Sequence, residues 1–175
     1  MAHREDIKKY PKCFGHQLPE YFTIAEMEYS ETAIKLGIDN TLTNTEHYEN
    51  ARQFMLQILD PLRKAWTEYC IEKNIGKGAI IITSGYRCEE LNDAVNGSKT
   101  SAHCIGCAAD IKPANNQMNS FQKFVPKWLT DNGVMFDQCI KENVNDNGLC
   151  EWVHLGWRNR EGEQRKQIFD IKKNG

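Results

Sequence analysis

The order of apolar and polar positions predicts a long helical segment in the first half of the chain. From Asn44 to about Asn74, apolar side chains recur at helical spacing, and Asn44 or Thr45 can cap the start. Pro61 lies inside this pattern, but Asp60-Pro61 is also a good cap followed by a first helical position. One kinked helix and two abutting helices both fit the pattern.

Short apolar runs bounded by turn residues predict four strands, at Ile80–Thr83, Ala108–Ile111, Met135–Ile140 and Glu151–Trp157. The last two flank a polar loop at residues 142–148. Two further helices are predicted at residues 91–95 and 119–130, and Pro126 would kink the second or delay its start. Helices that precede and interleave with a few strands predict an α+β fold, with a small antiparallel sheet packed against N-terminal and central helices.

The composition predicts one domain over residues 1–175, with residues 1–20 as an irregular arm. No apolar run is long enough to cross a bilayer, and the N-terminus lacks the apolar region of a secretory signal. We therefore expect a soluble protein that is cytoplasmic in the cell that makes it. A net charge of −2 argues against a nucleic-acid partner, and acidic residues interrupt the basic residues of 158–173, which favours a solvated face there.

Seven cysteines without a signal peptide indicate free thiols, most of them in the core. Cys104 and Cys107 form a C-x-x-C pair, which leaves a structural zinc site or a redox pair as alternatives. The segment after Cys107 reads as a strand, whereas a thioredoxin-type pair should open a helix. The context therefore disfavours both alternatives.

Two histidines stand close to carboxylates in the sequence. His103 precedes Asp110 by seven residues, and His154 follows Glu151 in Glu-Trp-Val-His. Two imidazoles and one carboxylate can make an open zinc site, and a second carboxylate can carry the proton of a water molecule. If a strand began at Glu151, side-chain alternation would turn it away from His154, so we place Glu151 at an irregular entry to the strand. The non-catalytic alternatives are core histidines, a structural Asp110–Arg87 pair and a surface Glu151.

An ordered set of motifs then resembles the zinc D-Ala-D-Ala carboxypeptidase family, which also contains vancomycin-resistance dipeptidases and phage endolysins. The motifs extend from about Phe22 to the C-terminus, and the likeness is closest to the small single-domain carboxypeptidase branch. They comprise Ser84-Gly-Tyr-Arg87, Leu91-Asn92, Val95, Gly97-Ser98, Ser101-x-His103-x-x-Gly106-x-Ala108-x-Asp110 and Glu151-Trp-Val-His154.

The resemblance implies a role for each matching residue. His103, Asp110 and His154 would bind one catalytic zinc ion, and Glu151 would be the general base and acid. Arg87 would stabilise the oxyanion, because a guanidinium offers a fixed fork of donors.

The resemblance also implies roles for two further residues of the ligand loop. Ser101 would bind substrate or order the loop, and Gly106 would let the backbone turn between two ligands.

The implied substrate is a peptidoglycan stem peptide or another D-Ala-terminated peptide. The absence of a signal sequence suits a phage-type lysin or a cytoplasmic peptidase. The alternative from another class is a non-catalytic binding module or virion structural module that keeps the fold. The presence of both Glu151 and Arg87 favours the enzyme, since a structural site closes its coordination with four protein ligands.

Overall fold

The computed structural model describes residues 17–173. Its helices are α1 Ile24–Glu28, α2 Glu31–Leu36, α3 Thr45–Phe54, α4 Asp60–Lys73, α5 Glu89–Ala94 and α6 Met118–Asp131. Its strands are β1 Ile80–Ser84, β2 Ala108–Pro113, β3 Gln138–Val144, β4 Trp152–Gly156 and β5 Gln167–Lys172. Most of the predicted arm, and Cys13 with it, lies outside the described residues.

The five strands form one sheet in the order β1-β2-β4-β3-β5. The first four pair antiparallel, as predicted, while β5 lies parallel to β3 at the edge. The α+β fold is therefore confirmed, and β5 is an addition to it. All six residues of β5 are exposed, so this strand carries no alternation of buried and exposed positions that a sequence pattern could show.

The long helical segment is continuous but changes its hydrogen bonding in the middle. Asn44 caps α3 by accepting hydrogen bonds from the backbone of Glu46 and His47. A π-helical turn, Met55–Leu59, then joins α3 to α4. Pro61 follows this turn at the start of α4. Because proline lacks an N–H and crowds the carbonyl four residues earlier, the wider turn accommodates it without breaking the helix.

The third strand differs from its prediction. It begins at Gln138 and runs through Glu142 to Val144, where the sequence predicted a polar loop. Backbone pairing with β4 on one side and β5 on the other holds these polar residues in strand conformation. Lys141–Asn143 are only partly buried, so their polar side chains keep contact with water while the backbone stays in the sheet.

The core lies between one face of the sheet and the helices α3, α4 and α6. Ala109, Ile111, Val153 and Leu155 point into it and are fully buried. Trp66 of α4 packs edge-on against Phe121 of α6, with ring centroids 5.0 Å apart. Because side chains alternate along a strand, Asp110 and His154 face the opposite side of the sheet. Among residues 17–173, no helix combines the length and apolar character that a membrane crossing needs.

Candidate metal centre

The three predicted metal ligands come from separate elements and meet at one point. His103 lies on a short 3-10 helix, Ala102–Ile105, and Asp110 and His154 are direct partners in the antiparallel β2–β4 pair. His103 Nε2 lies 3.2 Å from His154 Nδ1 and 3.3 Å from Asp110 Oδ1. The third distance, His154 Nδ1 to Asp110 Oδ1, is 3.0 Å. Among the described residues this is the one group of histidine, cysteine and acidic side chains found close enough to hold an ion.

These distances fit a zinc ion. Zinc bonds of about 2.0–2.1 Å to nitrogen and oxygen in tetrahedral geometry place neighbouring ligand atoms about 3.3 Å apart. The three residues are 3%, 6% and 8% exposed for His103, Asp110 and His154, so the group is largely buried. Three protein ligands leave a fourth position for water or substrate, as catalytic zinc sites do.

Gly106 makes the turn that brings His103 to the sheet. It ends the 3-10 helix in the left-handed conformation, with φ of 75°. A Cβ atom at this position would lie 2.3 Å from the backbone oxygen of His47. Both the positive φ and the close approach of α3 require glycine, which confirms the predicted role of Gly106 in the backbone turn.

Partners outside the ligand group orient two of the ligands. His103 Nδ1 donates a 2.6 Å hydrogen bond to the carbonyl oxygen of Gly85, so Nε2 keeps the lone pair that an ion would use. Asp110 presents Oδ1 to the histidines and accepts a 3.0 Å bond at Oδ2 from Arg87 Nη2. Arg87 Nε in turn donates to Ser84 Oγ at 3.0 Å. The structural pairing of Asp110 with Arg87 and the ligand role of Asp110 are thus compatible.

The electrostatics of the group favour the protonation states that bind a metal. Burial alone would raise the pKa of Asp110, but the charges and hydrogen bonds of His103 and His154 outweigh it and hold that pKa well below its usual range. Burial lowers the pKa of His103. An ionised carboxylate and a neutral imidazole are the forms in which these side chains coordinate zinc.

The other predicted site residues take different positions. Ser101 lines the same cavity, and its Oγ accepts a 3.3 Å hydrogen bond from the backbone N–H of His103, so it orders the ligand loop. Arg87 also lines this cavity of about 770 Å³. The structure does not bring Glu151 to the ligands: it is exposed just before β4, and its Oε1 accepts a 2.6 Å hydrogen bond from Lys173.

Sequence reasoning missed Glu142, which lines the cavity together with the three ligands. It lies on β3, two residues beyond Ile140, and Ile140 is paired directly with His154. The signal that could have found it is the β3–β4 register, because residues two apart on a strand share a face. With the register unknown, Glu142 reads as part of the polar loop.

The cysteine pair does not form a second metal centre in the described part of the chain. Cys104 and Cys107 are both buried free thiols beside the ligand loop. No group of three possible ligands forms around this pair among the described residues. Burial raises the pKa of Cys107 to about 12, so this side chain is a protonated thiol and a poor nucleophile at neutral pH. The expectation that most cysteines are small core residues is confirmed for Cys70, Cys104, Cys107, Cys139 and Cys150.

The comparison with curated proteins finds no match. The sequence model of the family described as peptidase M15 matches residues 20–139, which is more than half of the 175-residue chain. The matched range includes Arg87, His103 and Asp110, and β4 then supplies His154 next to them in the sheet. The chain therefore belongs to the peptidase M15 family of zinc-dependent metallopeptidases, in agreement with the family resemblance of its motifs.

Proposed function

We propose that this protein hydrolyses a peptide bond in peptidoglycan stem peptides, as a D-Ala-D-Ala carboxypeptidase or as an endolysin-type endopeptidase. The single observation that carries the proposal is the group His103, Asp110 and His154, whose ligand atoms lie 3.0–3.3 Å apart. Membership of the peptidase M15 family supports the choice of a peptide substrate.

His103, Asp110 and His154 would hold one zinc ion through Nε2, Oδ1 and Nδ1. That ion would act as a Lewis acid and lower the pKa of a bound water to about 7. The backbone oxygen of Gly85 would hold His103 in position, and the guanidinium of Arg87 would hold Asp110.

Arg87 has donors left for the substrate. Its Nε donates a hydrogen bond to Ser84, and its Nη2 donates one to Asp110. No described residue accepts a hydrogen bond from Nη1. We propose that Nη1 donates to the scissile carbonyl oxygen as negative charge develops on it. A guanidinium already fixed by two partners needs little reorganisation to do so.

A carboxylate must accept a proton from the attacking water and return it to the leaving amine. The family resemblance assigns this role to Glu151, three residues before His154. In the structure the Glu151 carboxylate accepts hydrogen bonds from Lys173 Nζ at 2.6 Å and from Asn143 Nδ2 at 3.2 Å. Glu151 would have to release Lys173 and turn towards the cavity before it could serve as the base.

The cavity suits an extended peptide. It has a volume of about 770 Å³, and Arg87 and Val95 also line a second groove of about 520 Å³ that follows the edge strand β1. A strand edge with a groove beside it can align a peptide main chain in extended form. A short stem peptide would therefore lie across Arg87, with residues on both sides of the metal centre.

The test is peptide release from purified peptidoglycan and from a synthetic stem pentapeptide, followed by mass spectrometry. The wild type is assayed with zinc and with chelator, beside H154Q as a variant that lacks one ligand. We expect products with zinc, none with chelator or H154Q, and product masses that identify the bond. A wild type that binds one zinc ion but releases nothing from either substrate would contradict the proposal and favour a binding module.

A further inference from the structure

The cavity beside the metal centre is lined by a second arginine, Arg165, in addition to Arg87. Arg165 lies in the segment between β4 and β5, and its side chain is 39% exposed. The charge pattern predicts a solvated face for the basic residues of 158–173. Arg165 differs from that prediction, because its place in the cavity wall lets a bound substrate reach the guanidinium.

A buried carboxylate, that of Asp137, holds the Arg165 guanidinium in one orientation. Asp137 Oδ1 accepts a 2.7 Å hydrogen bond from Arg165 Nε, and Oδ2 accepts a 2.8 Å bond from Nη2. The backbone N–H of Arg165 also donates to Oδ1, at 3.3 Å. Asp137 is 1% exposed, so the pair is anchored in the interior of the protein. Two parallel bonds of this kind fix the plane of the guanidinium.

The outer edge of the Arg165 guanidinium keeps unused donors. Within the described part of the chain, no residue accepts a hydrogen bond from its Nη1. Because Asp137 takes the edge formed by Nε and Nη2, the edge formed by Nη1 and Nη2 remains as a second fork. Such a fork matches the two oxygens of a carboxylate, and its orientation is already fixed before a ligand arrives.

The strand register shows where this fork lies relative to the metal centre. Ile140 of β3 is paired with His154, and Gln138 is paired with Gly156. Gln138 therefore lies one row, about 7 Å, along the sheet from the row of His154, and Asp137 directly precedes Gln138. Gly156 has no side chain, so the sheet face between the metal centre and this end of the cavity has room for a substrate.

The two ends of the cavity differ in charge. Glu142 lies one row from His154 in the opposite direction, because it is paired with Trp152, and it also lines the cavity. Its negative charge repels an anionic group at that end. A substrate carboxylate is therefore favoured at the Arg165 end, and this difference sets the direction in which a peptide lies across the metal centre.

We propose that Arg165 binds a free carboxylate of the substrate peptide and thereby positions the scissile bond at the metal centre. This inference rests on the proposed function and names the chemical group that the cavity recognises. A stem peptide has two such groups near its cleavable bonds, the C-terminal carboxylate and the free α-carboxylate of its γ-linked glutamate. Both offer the same pair of oxygens to the Arg165 fork, and the experiment distinguishes them.

The alternative is that the Arg165–Asp137 pair only holds the segment that leads into β5. Backbone bonds already hold that segment, since Lys166 N–H donates to the Phe136 oxygen at 3.1 Å and Gln167 N–H to the Asp137 oxygen at 2.8 Å. A structural pair also has no need of an accessible second fork in a cavity wall. A purely structural role predicts the same loss of activity for every substrate, whether charged or neutral.

The experiment combines the variant R165Q with substrates that lack one carboxylate. The substrates are a synthetic stem pentapeptide with its carboxylates free, the same peptide as its C-terminal amide, and the peptide amidated at the glutamate α-carboxylate. We measure kcat and KM for zinc-loaded wild type, R165Q and R158Q. Arg158 is exposed on the same segment, stacks on Trp157 and lies outside the cavity lining, so R158Q is the matched control.

In the wild type and in R158Q, we expect amidation of one carboxylate to lower kcat/KM about 10- to 100-fold, the range for hydrogen bonds to a charged group. In R165Q the free acid and that amide should differ by less than about threefold, because the partner of the carboxylate is gone. The amide that shows this pattern identifies the carboxylate that is bound. If R165Q does not fold, the double variant D137N/R165Q replaces it, since it leaves no buried charge unpaired, and the same result is expected.

Two outcomes would overturn the inference. One is a wild type that cleaves the free acid and both amides equally well, and the other is an R165Q protein that keeps the full preference for the acid. A wild type that cleaves none of the peptides contradicts the proposed function separately. Calorimetric titration of the same peptides into zinc-loaded wild type and R165Q then tests the carboxylate site without turnover. A preference of about tenfold for the acid that is lost in R165Q supports the site, and equal dissociation constants in the wild type overturn it.

Discussion

The Nδ1 atom of His103 lies 2.6 Å from the carbonyl oxygen of Gly85, and this contact fixes which ring nitrogen can bind a metal. A carbonyl oxygen only accepts hydrogen bonds, so Nδ1 carries the hydrogen. Burial lowers the pKa of His103 and favours the neutral ring, in which Nε2 then keeps its lone pair. The position of Gly85 is itself constrained, because a Cβ atom there would lie 2.5 Å from the backbone oxygen of Met27. The packing of α1 against the end of β1 therefore helps to fix the tautomer of a predicted metal ligand.

Substitution of Gly85 by alanine should weaken zinc binding. The added methyl group forces the backbone away from Met27, which shifts the carbonyl that orients His103. Loss of such an outer partner typically lowers metal affinity about 10- to 100-fold. The measurement is competition with a chromogenic zinc chelator.

Gly37→Ala is the matched control for this effect. Gly37 has a positive φ, of 68°, which Gly85 does not, but no atom lies within 4 Å of a Cβ there, so G37A adds a methyl group without a clash. We expect G37A to lose about 1 kcal/mol of unfolding free energy through backbone strain while its zinc affinity stays unchanged. A G85A protein that binds zinc as tightly as G37A would show that the Gly85 contact has no effect on the metal site.

Arg87→Lys should lower activity although the charge is kept. The guanidinium fork donates hydrogen bonds to Ser84 and Asp110 and can still present a third donor to the substrate. A lysine ammonium is a point charge and cannot fill these three roles at once. We expect kcat to fall about 10²- to 10³-fold, the range seen when an oxyanion donor is removed. Arg63→Lys, on α4 and outside the cavity lining, is the control. Equal kcat values for R87K and R63K would exclude the oxyanion role.

Much of the candidate site could be predicted because its ligands lie in short motifs. The run from Ser101 to Asp110 contains two predicted ligands and the glycine that turns between them, and the strand at Ala108–Pro113 has a clear apolar signature. His154 likewise lies in a recognisable strand. The resemblance named the three ligands together, and the structure places them within 3.3 Å of one another.

The parts that could not be predicted depend on pairing between strands. Glu142 has a polar neighbourhood in sequence, and only the register of β3 against β4 turns it towards His154. Lys173 follows the exposed strand β5, and its contact with Glu151 spans 22 residues. Such contacts leave no periodic trace in the sequence, because neither residue belongs to a run with one buried face.

Zinc should raise the thermal stability of the protein by an amount that grows with the logarithm of its affinity. An ion that binds only the folded state adds about 4 kcal/mol at a free concentration of 1,000 times its Kd. For a chain of this length that corresponds to a Tm rise of roughly 8–16 °C. Differential scanning fluorimetry at increasing free zinc concentration measures this rise in Tm, with H154Q as the control. A rise of the same size in H154Q would place the ion at another site.

The buried thiols should make stability fall at alkaline pH. Burial raises the pKa of Cys107 and of Cys139 to about 12 each. The folded state thus keeps protons that the unfolded chain releases above about pH 9, and the free energy of unfolding decreases as pH rises from there towards 12. Each thiol should account for about 1 kcal/mol lost by pH 10. Urea unfolding of the wild type and of C139A at pH 7.5 and pH 10 tests this. Between the two pH values, C139A should lose less unfolding free energy than the wild type.

Thiol labelling gives an independent check at a single pH. Cys88 is partly exposed, whereas Cys107 and Cys139 are 2% and 1% exposed. At pH 7.5 we expect a disulfide reagent to label Cys88 in the native protein and to reach Cys107 and Cys139 only at the rate of unfolding, since a buried protonated thiol is a poor nucleophile. Peptide mapping by mass spectrometry assigns each label. Labelling of Cys139 as fast as that of Cys88 would mean that the sheet opens locally at β3, beside Glu142, and that the cavity wall is not rigid.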